Sequence, residues 1–172
     1  EYRAVYPLAM KSPALGVEFF GAAAFKSDYL KDLQAVKTQI VSLNLNRMPI
    51  KDEDLKAIAV FSNLRKLNLS ATQITGATLG ELKSLRALRK LSLSGTAVKA
   101  ADLEVLQALP QLSALYLWNT ALSDADFEAL KRKLPRVYLE SGFKGDTVVA
   151  KLNAAVIEGE EEVFDTHTKV RL

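Results

Sequence analysis

The feature that most constrains this chain is a run of the form L-x-x-L-x-L-x-x-T-x-[IVL], which recurs at a spacing of 24 residues from Leu64, Leu88 and Leu112. Its members are Leu64, Leu67, Leu69, Thr72 and Ile74, then Leu88, Leu91, Leu93, Thr96 and Val98, then Leu112, Leu115, Leu117, Thr120 and Leu122. A less regular copy precedes them at Ile40, Leu43, Leu45, Met48 and Ile50. A fifth starts at Leu134 after a step of 22, continues through Val137 and Leu139, and dissolves into Ser141-Gly142-Phe143-Lys144-Gly145. The L-x-L alternation places two side chains of each copy on one face of a short strand. Between strands the apolar spacing changes to three and four, as in Leu55, Ile58 and Phe61, Leu79, Leu82 and Leu85, or Leu103, Leu106 and Leu109. That second period predicts a helix.

One strand and one helix cannot bury both of their apolar faces alone, so successive copies must stack into a continuous core. A period of 24 with these leucines is that of a leucine-rich repeat. The expected fold is therefore α/β: a right-handed solenoid of about five repeats, with a parallel β-sheet on the concave face and helices on the convex face. Thr72, Thr96 and Thr120 stand where the consensus usually has Asn or Cys. An inward hydroxyl there is expected to bond backbone groups where the chain leaves the strand, a structural role. Thr78 and Glu81 have the spacing of a capping box, and Asp54, Asp102 and Asp126 precede the first apolar residues of their helices. These acids read as caps, not as catalytic carboxylates.

Three segments are expected. Residues 1–39 form an N-terminal cap with a degenerate repeat, because Val17-Glu18-Phe19-Phe20 and Ser27-Asp28-Tyr29-Leu30 mimic strand and helix with a slip of one residue. Residues 40–145 are the repeats. Residues 146–172 change character, with apolar positions from Val148 to Leu172 around an acidic turn, Glu158-Gly159-Glu160-Glu161-Glu162. A start at Glu1 without Met reads as an excised piece, and an end inside an apolar run reads as a chain that continues.

Composition narrows the function classes. There are no cysteines, which removes thiol catalysis, disulfides and thiolate metal sites. Residues 1–140 carry 19 basic and 14 acidic side chains, and 141–172 carry 4 and 6, so the basic excess falls short of a nucleic-acid binder. No apolar run approaches the roughly 18 residues of a spanning helix, so no membrane insertion is expected. His167, the only histidine, lies in the terminal segment with no nucleophile at a recognisable spacing and reads as a surface residue. The acidic turn lacks the ordered ligand spacing of a calcium loop. No catalytic residue, cofactor or metal ligand is assigned, and the chain reads as no enzyme.

Binding must then fall on the strand residues beside each L-x-L. They form three columns: Ser42, Lys66, Lys90, Ala114 and Arg136; Asn44, Asn68, Ser92, Tyr116 and Tyr138; Asn46, Ser70, Ser94, Trp118 and Glu140. Small polar residues fill the N-terminal half, whereas Tyr116, Trp118 and Tyr138 gather at the other end beside Arg136 and Glu140. Exposed aromatics next to an arginine have the composition of a binding hot spot. Lys66, Lys90 and Arg136 add a basic column able to hold an anion, interrupted by Ala114.

The repeat version itself, with Thr in the Asn position, an apolar residue two places later and the run Leu115-Tyr116-Leu117-Trp118-Asn119-Thr120, resembles the leucine-rich-repeat region of cell-envelope proteins of the Bacteroidetes and Planctomycetes. In such proteins this region accompanies a cytochrome c-like domain, although this chain has no C-x-x-C-H haem motif. Lys151 to Leu172 is similar to the opening strands of a β-sandwich module. The resemblance implies an exported, periplasmic or cell-surface location and a binding or spacing role. The expected function is a non-enzymatic protein-interaction module within a larger exported protein. The alternative is a carbohydrate-binding module, its aromatics stacking on sugar rings while Asn44, Asn68 and Glu140 bond hydroxyls.

Overall fold

The structure, a computed structural model, describes residues 3–9 and 12–142. The expectations for the terminal strands, His167 and the acidic turn fall outside the described residues. The chain divides into two compact units, Glu1–Ser141 and Gly142–Leu172, and all elements below belong to the first.

Seven strands form one sheet in sequence order: β1 (Arg3–Pro7), β2 (Leu15–Phe19), β3 (Ile40–Asn44), β4 (Lys66–Asn68), β5 (Lys90–Ser92), β6 (Ala114–Tyr116) and β7 (Tyr138–Glu140). From β2 onward every neighbour is parallel. β1 runs antiparallel to β2, so the sheet is mixed where a wholly parallel one was expected. The physical reason is local: the chain enters by a hairpin closed by Leu8 N–H donating to the Ala14 carbonyl at 3.0 Å, and an antiparallel pair needs no crossover helix. The one-residue slip in the first strand takes the form of a bulge, since Leu15 pairs with Ile40 but Gly16 with Ser42.

The repeat is visible as register. Leu43, Leu67, Leu91 and Leu115 are direct partners across four strands, all at most 2% exposed. Leu45, Leu69, Leu93 and Leu117, two residues further on, are fully buried beneath them. The connecting segments contribute Leu55 and Ile58, Leu79 and Leu82, Leu103 and Leu106, and Phe127 and Leu130 to the same cluster. Burial of one such side chain stabilises by about 1.5–3 kcal/mol, so the stack is held by one shared core rather than by individual repeats. Met48, which departs from the repeat, is buried as well.

Most connecting segments are shorter than the periodicity suggests. α1 (Tyr29–Asp32), α2 (Leu55–Ile58) and α3 (Ala100–Leu103) have four residues each, and 3-10 turns fill Leu33–Val36, Leu79–Ser84 and Glu104–Ala108. Only α4 (Asp124–Lys133) reaches ten residues. That difference displaces the leucine before the last strand and leaves the strand itself in register. A 3-10 turn rises about 2.0 Å per residue and an α-helix about 1.5 Å, so a continuous α-helix spends an extra residue on the same distance. Leu134 therefore takes the place of Leu109, 25 residues earlier, and the loop after it is one residue shorter. Leu112 N–H bonds the Leu109 carbonyl and Val137 N–H bonds the Leu134 carbonyl in the same way. The strand step stays at 24, with Leu139 opposite Leu115, not at the 22 read from Leu134.

The capping acids act one turn later than expected. Lys51, Lys99 and Ser123 are the residues before the helical turns, and Asp54, Asp102 and Asp126 reach back three positions to their backbone N–H groups at 2.9, 3.1 and 2.9 Å. Thr78 makes no such cap. Its hydroxyl donates instead to the Asp52 carbonyl of the preceding repeat, at 2.5 Å. The repeat threonines behave as anticipated: Thr72, Thr96 and Thr120 donate to the carbonyls of Leu69, Leu93 and Leu117 at 2.7, 2.5 and 2.8 Å.

Candidate functional site: the open face of the sheet

The face of the sheet turned away from the leucine core carries three columns, and strand pairing decides their membership. Gly16, Ser42, Lys66, Lys90, Ala114 and Tyr138 form one; Glu18, Asn44, Asn68, Ser92, Tyr116 and Glu140 form the next. The third, just past the strand ends, holds Asn46, Ser70, Ser94 and Trp118. Two placements differ from the sequence reading. Tyr138 stands beside Ala114 rather than Tyr116, and Glu140 stands beside Tyr116 rather than Trp118. Arg136 is in no column; it lies exposed in the loop before β7 and lines a cleft of about 290 Å³ with Lys133 and Pro110. The cause is that β7 keeps the 24-residue step while the extra helical residue of α4 displaces Leu134, from which the columns were counted.

In its middle the open face is stitched by its own side chains. Asn44 donates to Glu18 Oε1 at 2.7 Å and accepts from Asn46 N–H at 3.1 Å. Asn68 accepts from Ser70 N–H at 3.0 Å. Ser70 Oγ lies 2.6 Å from Ser92 Oγ, Ser92 Oγ donates to Ser94 Oγ at 3.4 Å, and Ser94 Oγ accepts from Trp118 N–H at 3.1 Å. The chain from Ser70 to Trp118 crosses three strands, β4 to β6, and fixes the backbone on which Trp118 sits.

At the C-terminal end the aromatics project. Trp118 is 58% exposed and Tyr138 61%, while Tyr116 is half-buried between them and Glu140. The Tyr138 hydroxyl donates to Glu140 Oε2 at 2.6 Å. That bond, and the carboxylate's charge, hold the Tyr138 phenol above its ordinary value. Tyr138 thus stays a neutral hydrogen-bonding aromatic with an oriented ring.

The N-terminal edge of the central strands is basic. Lys66 and Lys90 are direct partners across β4 and β5, both exposed. Arg65 and Arg89, immediately before them and absent from the sequence-based site, join them around a cleft of about 430 Å³ together with Leu8, Ser12, Ala14 and Val41. The signal was present as Arg-Lys at the same place in two successive copies. Among the described residues there is no group of three or more acids or histidines placed to hold a metal ion, and no helix long and apolar enough to cross a membrane.

No family model matches this chain, and no curated protein matches it. Among solved structures it is similar to an internalin (inlF) from Listeria monocytogenes str. 4b F2365, with 22% identity and a TM-score of 0.42. That likeness covers 64% of this chain and 37% of the internalin. The leucine-rich-repeat character rests on the 24-residue strand register above, not on this likeness.

Proposed function

We propose that the chain is a non-enzymatic leucine-rich-repeat module, a solenoid of about five repeats, that binds a protein partner through the C-terminal end of its open face. The observation that carries this reading is the exposure of Trp118 and Tyr138 on a backbone fixed by the Ser70–Ser92–Ser94–Trp118 chain of hydrogen bonds. Large, rigid aromatics lose little conformational freedom on binding and dominate interface energetics. Glu140 orients Tyr138, and Tyr116 supplies the floor between them. Five strands span only about 20 Å, so a partner of standard interface size also engages the loops past the strand ends.

A polysaccharide finds less here. Of the polar groups proposed to bond sugar hydroxyls, Asn44 and Asn68 accept bonds from the backbone N–H groups of Asn46 and Ser70, Asn44 also donates to Glu18, and Glu140 accepts from Tyr138. The setting in a larger exported envelope protein follows from the resemblance of the repeat version alone.

The test has two steps. A photo-reactive residue replacing exposed Ala121, in the loop after Trp118, captures the partner, and the purified partner is then titrated against wild type, Trp118→Ala and Tyr138→Ala. A true anchor costs at least about 2 kcal/mol, roughly thirtyfold in affinity. Unchanged affinity in both variants would remove the aromatic end from the interface.

A further inference from the structure

The basic cleft at the N-terminal ends of β3, β4 and β5 has no counter-charge among the described residues. Parallel register sets Lys66 directly opposite Lys90, and the same register brings Arg65 alongside Arg89. Like charges directly opposite on neighbouring strands are destabilising. Opposite charges normally relieve this, yet the ion pairs of the described residues involve none of the four: they join Arg3 to Asp32, Lys31 to Asp28, Lys131 to Glu128 and Lys133 to Glu104. Among the described residues no acidic side chain lines the cleft. All four cations are exposed and line the same cleft.

The walls narrow the ligand. Leu8, 45% exposed at the end of the β1–β2 hairpin, and Val41, on β3, give an apolar side to a space of about 430 Å³, within the range of small-molecule sites. Backbone donors are already spent, since Arg65 N–H bonds the Val41 carbonyl and both Arg89 and Lys90 N–H bond the Arg65 carbonyl. Recognition is therefore left to side chains. Two guanidinium forks match the oxygens of a phosphoryl group, and two ammonium groups add point charge. Four positive charges favour a dianion over a carboxylate.

We propose that this cleft is a binding site for a small phosphate monoester with an apolar or ring body, its phosphate held by Arg65, Arg89, Lys66 and Lys90 and its body against Leu8 and Val41. The site lies at the N-terminal ends of β3 to β5, whereas Trp118 follows the C-terminal end of β6, and it does not rest on the protein-interaction reading.

Phenyl phosphate, inorganic phosphate and benzoate, titrated into the full 172-residue chain and followed by amide NMR shifts, test it. The expected result is saturable shifts at the amides of Val41, Arg65 and Arg89 with phenyl phosphate. Inorganic phosphate is expected to bind about fivefold more weakly and benzoate about tenfold or more. Arg65→Gln with Arg89→Gln, and separately Lys66→Gln with Lys90→Gln, should each weaken phenyl phosphate at least about tenfold. These side chains are exposed, so circular dichroism should show the variants folded. Benzoate binding as tightly as phenyl phosphate, affinity unchanged in both double variants, or no saturable shift up to about 10 mM would each overturn the assignment.

Discussion

Ala71 occupies, at φ 53°, the position that Gly95 occupies at φ 68° one repeat later. Arg47 and Asn119, at φ 60° and 54°, hold the same place in the repeats before and after. Four successive copies thus turn out of their strands through a left-handed residue, 24 positions apart. Only glycine adopts this conformation without steric cost, which for other residues is about 1–2 kcal/mol. Glycine offsets part of that gain through its greater freedom when unfolded. Ala71→Gly is expected to raise stability by up to about 1 kcal/mol, read as a higher urea midpoint at unchanged slope.

The reverse change isolates the backbone term. A Cβ built on Gly95 meets Ala71 Cα at 3.6 Å, an ordinary contact. Nothing is therefore crowded, and the cost of Gly95→Ala is conformational alone, about 1 kcal/mol. A loss well beyond 2 kcal/mol in the same denaturation experiment would mean that packing is also disturbed.

Asp52 joins two repeats. Its carboxylate accepts from Thr75 N–H and Oγ1 at 2.9 and 2.7 Å and from Gly76 N–H at 3.1 Å. Partial burial opposes its charge, but the hydrogen bonds from Thr75, Gly76 and Thr78 prevail and hold the carboxyl below its ordinary value of 3.8. A depressed folded value means that the stabilisation is complete above the unfolded value and is lost as pH falls through the folded one. Asp52→Asn is therefore expected to cost about 1–2 kcal/mol at neutral pH. The gap between variant and wild type should close as pH falls below 3.8; a gap independent of pH would refute the electrostatic origin.

How far these features can be read from the chain alone depends on whether a side chain or the backbone carries the signal. The leucine columns were legible because burial dictates residue type: Leu43, Leu67, Leu91 and Leu115 fall in register as their spacing requires. The left-handed position was not, because Arg47, Ala71 and Asn119 disguise what Gly95 alone betrays. The role of Asp52 was hidden for another reason. Its partners lie in the next repeat, and Asp54, the neighbouring acid, fits a local cap. At the candidate site, Trp118 and the Lys66–Lys90 pair were placed correctly. Tyr138, Glu140 and Arg136 were not, because helix type sets where Leu134 falls relative to the strand, and 3-10 and α segments share one apolar pattern.

The repeat threonines offer a graded test of burial. Thr96 is 6% exposed and its hydroxyl serves the Leu93 carbonyl, which also receives Thr96 N–H at 3.3 Å. Thr120 makes the equivalent bond to Leu117 but is only half-buried. Because the Leu93 carbonyl keeps one donor, Thr96→Val should cost about 1 kcal/mol rather than the larger penalty of an orphaned group. Thr120→Val should cost less, since water can replace the hydroxyl. Equal losses in chemical denaturation would show that burial does not set the scale.

The register of β7 separates two residues that the sequence alone places side by side. Tyr138 projects from the sheet next to Ala114, whereas Arg136 sits in the preceding loop beside Lys133. If the partner binds the open face, Tyr138→Ala removes ring contact and the oriented hydroxyl together and should weaken binding by about 2 kcal/mol. Arg136→Ala, outside the columns, should change it by less than about 0.5 kcal/mol, within the range of peripheral contacts. Calorimetric titration of the purified partner against both variants reads the difference directly. An Arg136→Ala loss equal to that of Tyr138→Ala would shift the interface from the sheet to the loop edge, where the two proline-containing connections Leu109–Leu112 and Leu134–Val137 line the smaller cleft.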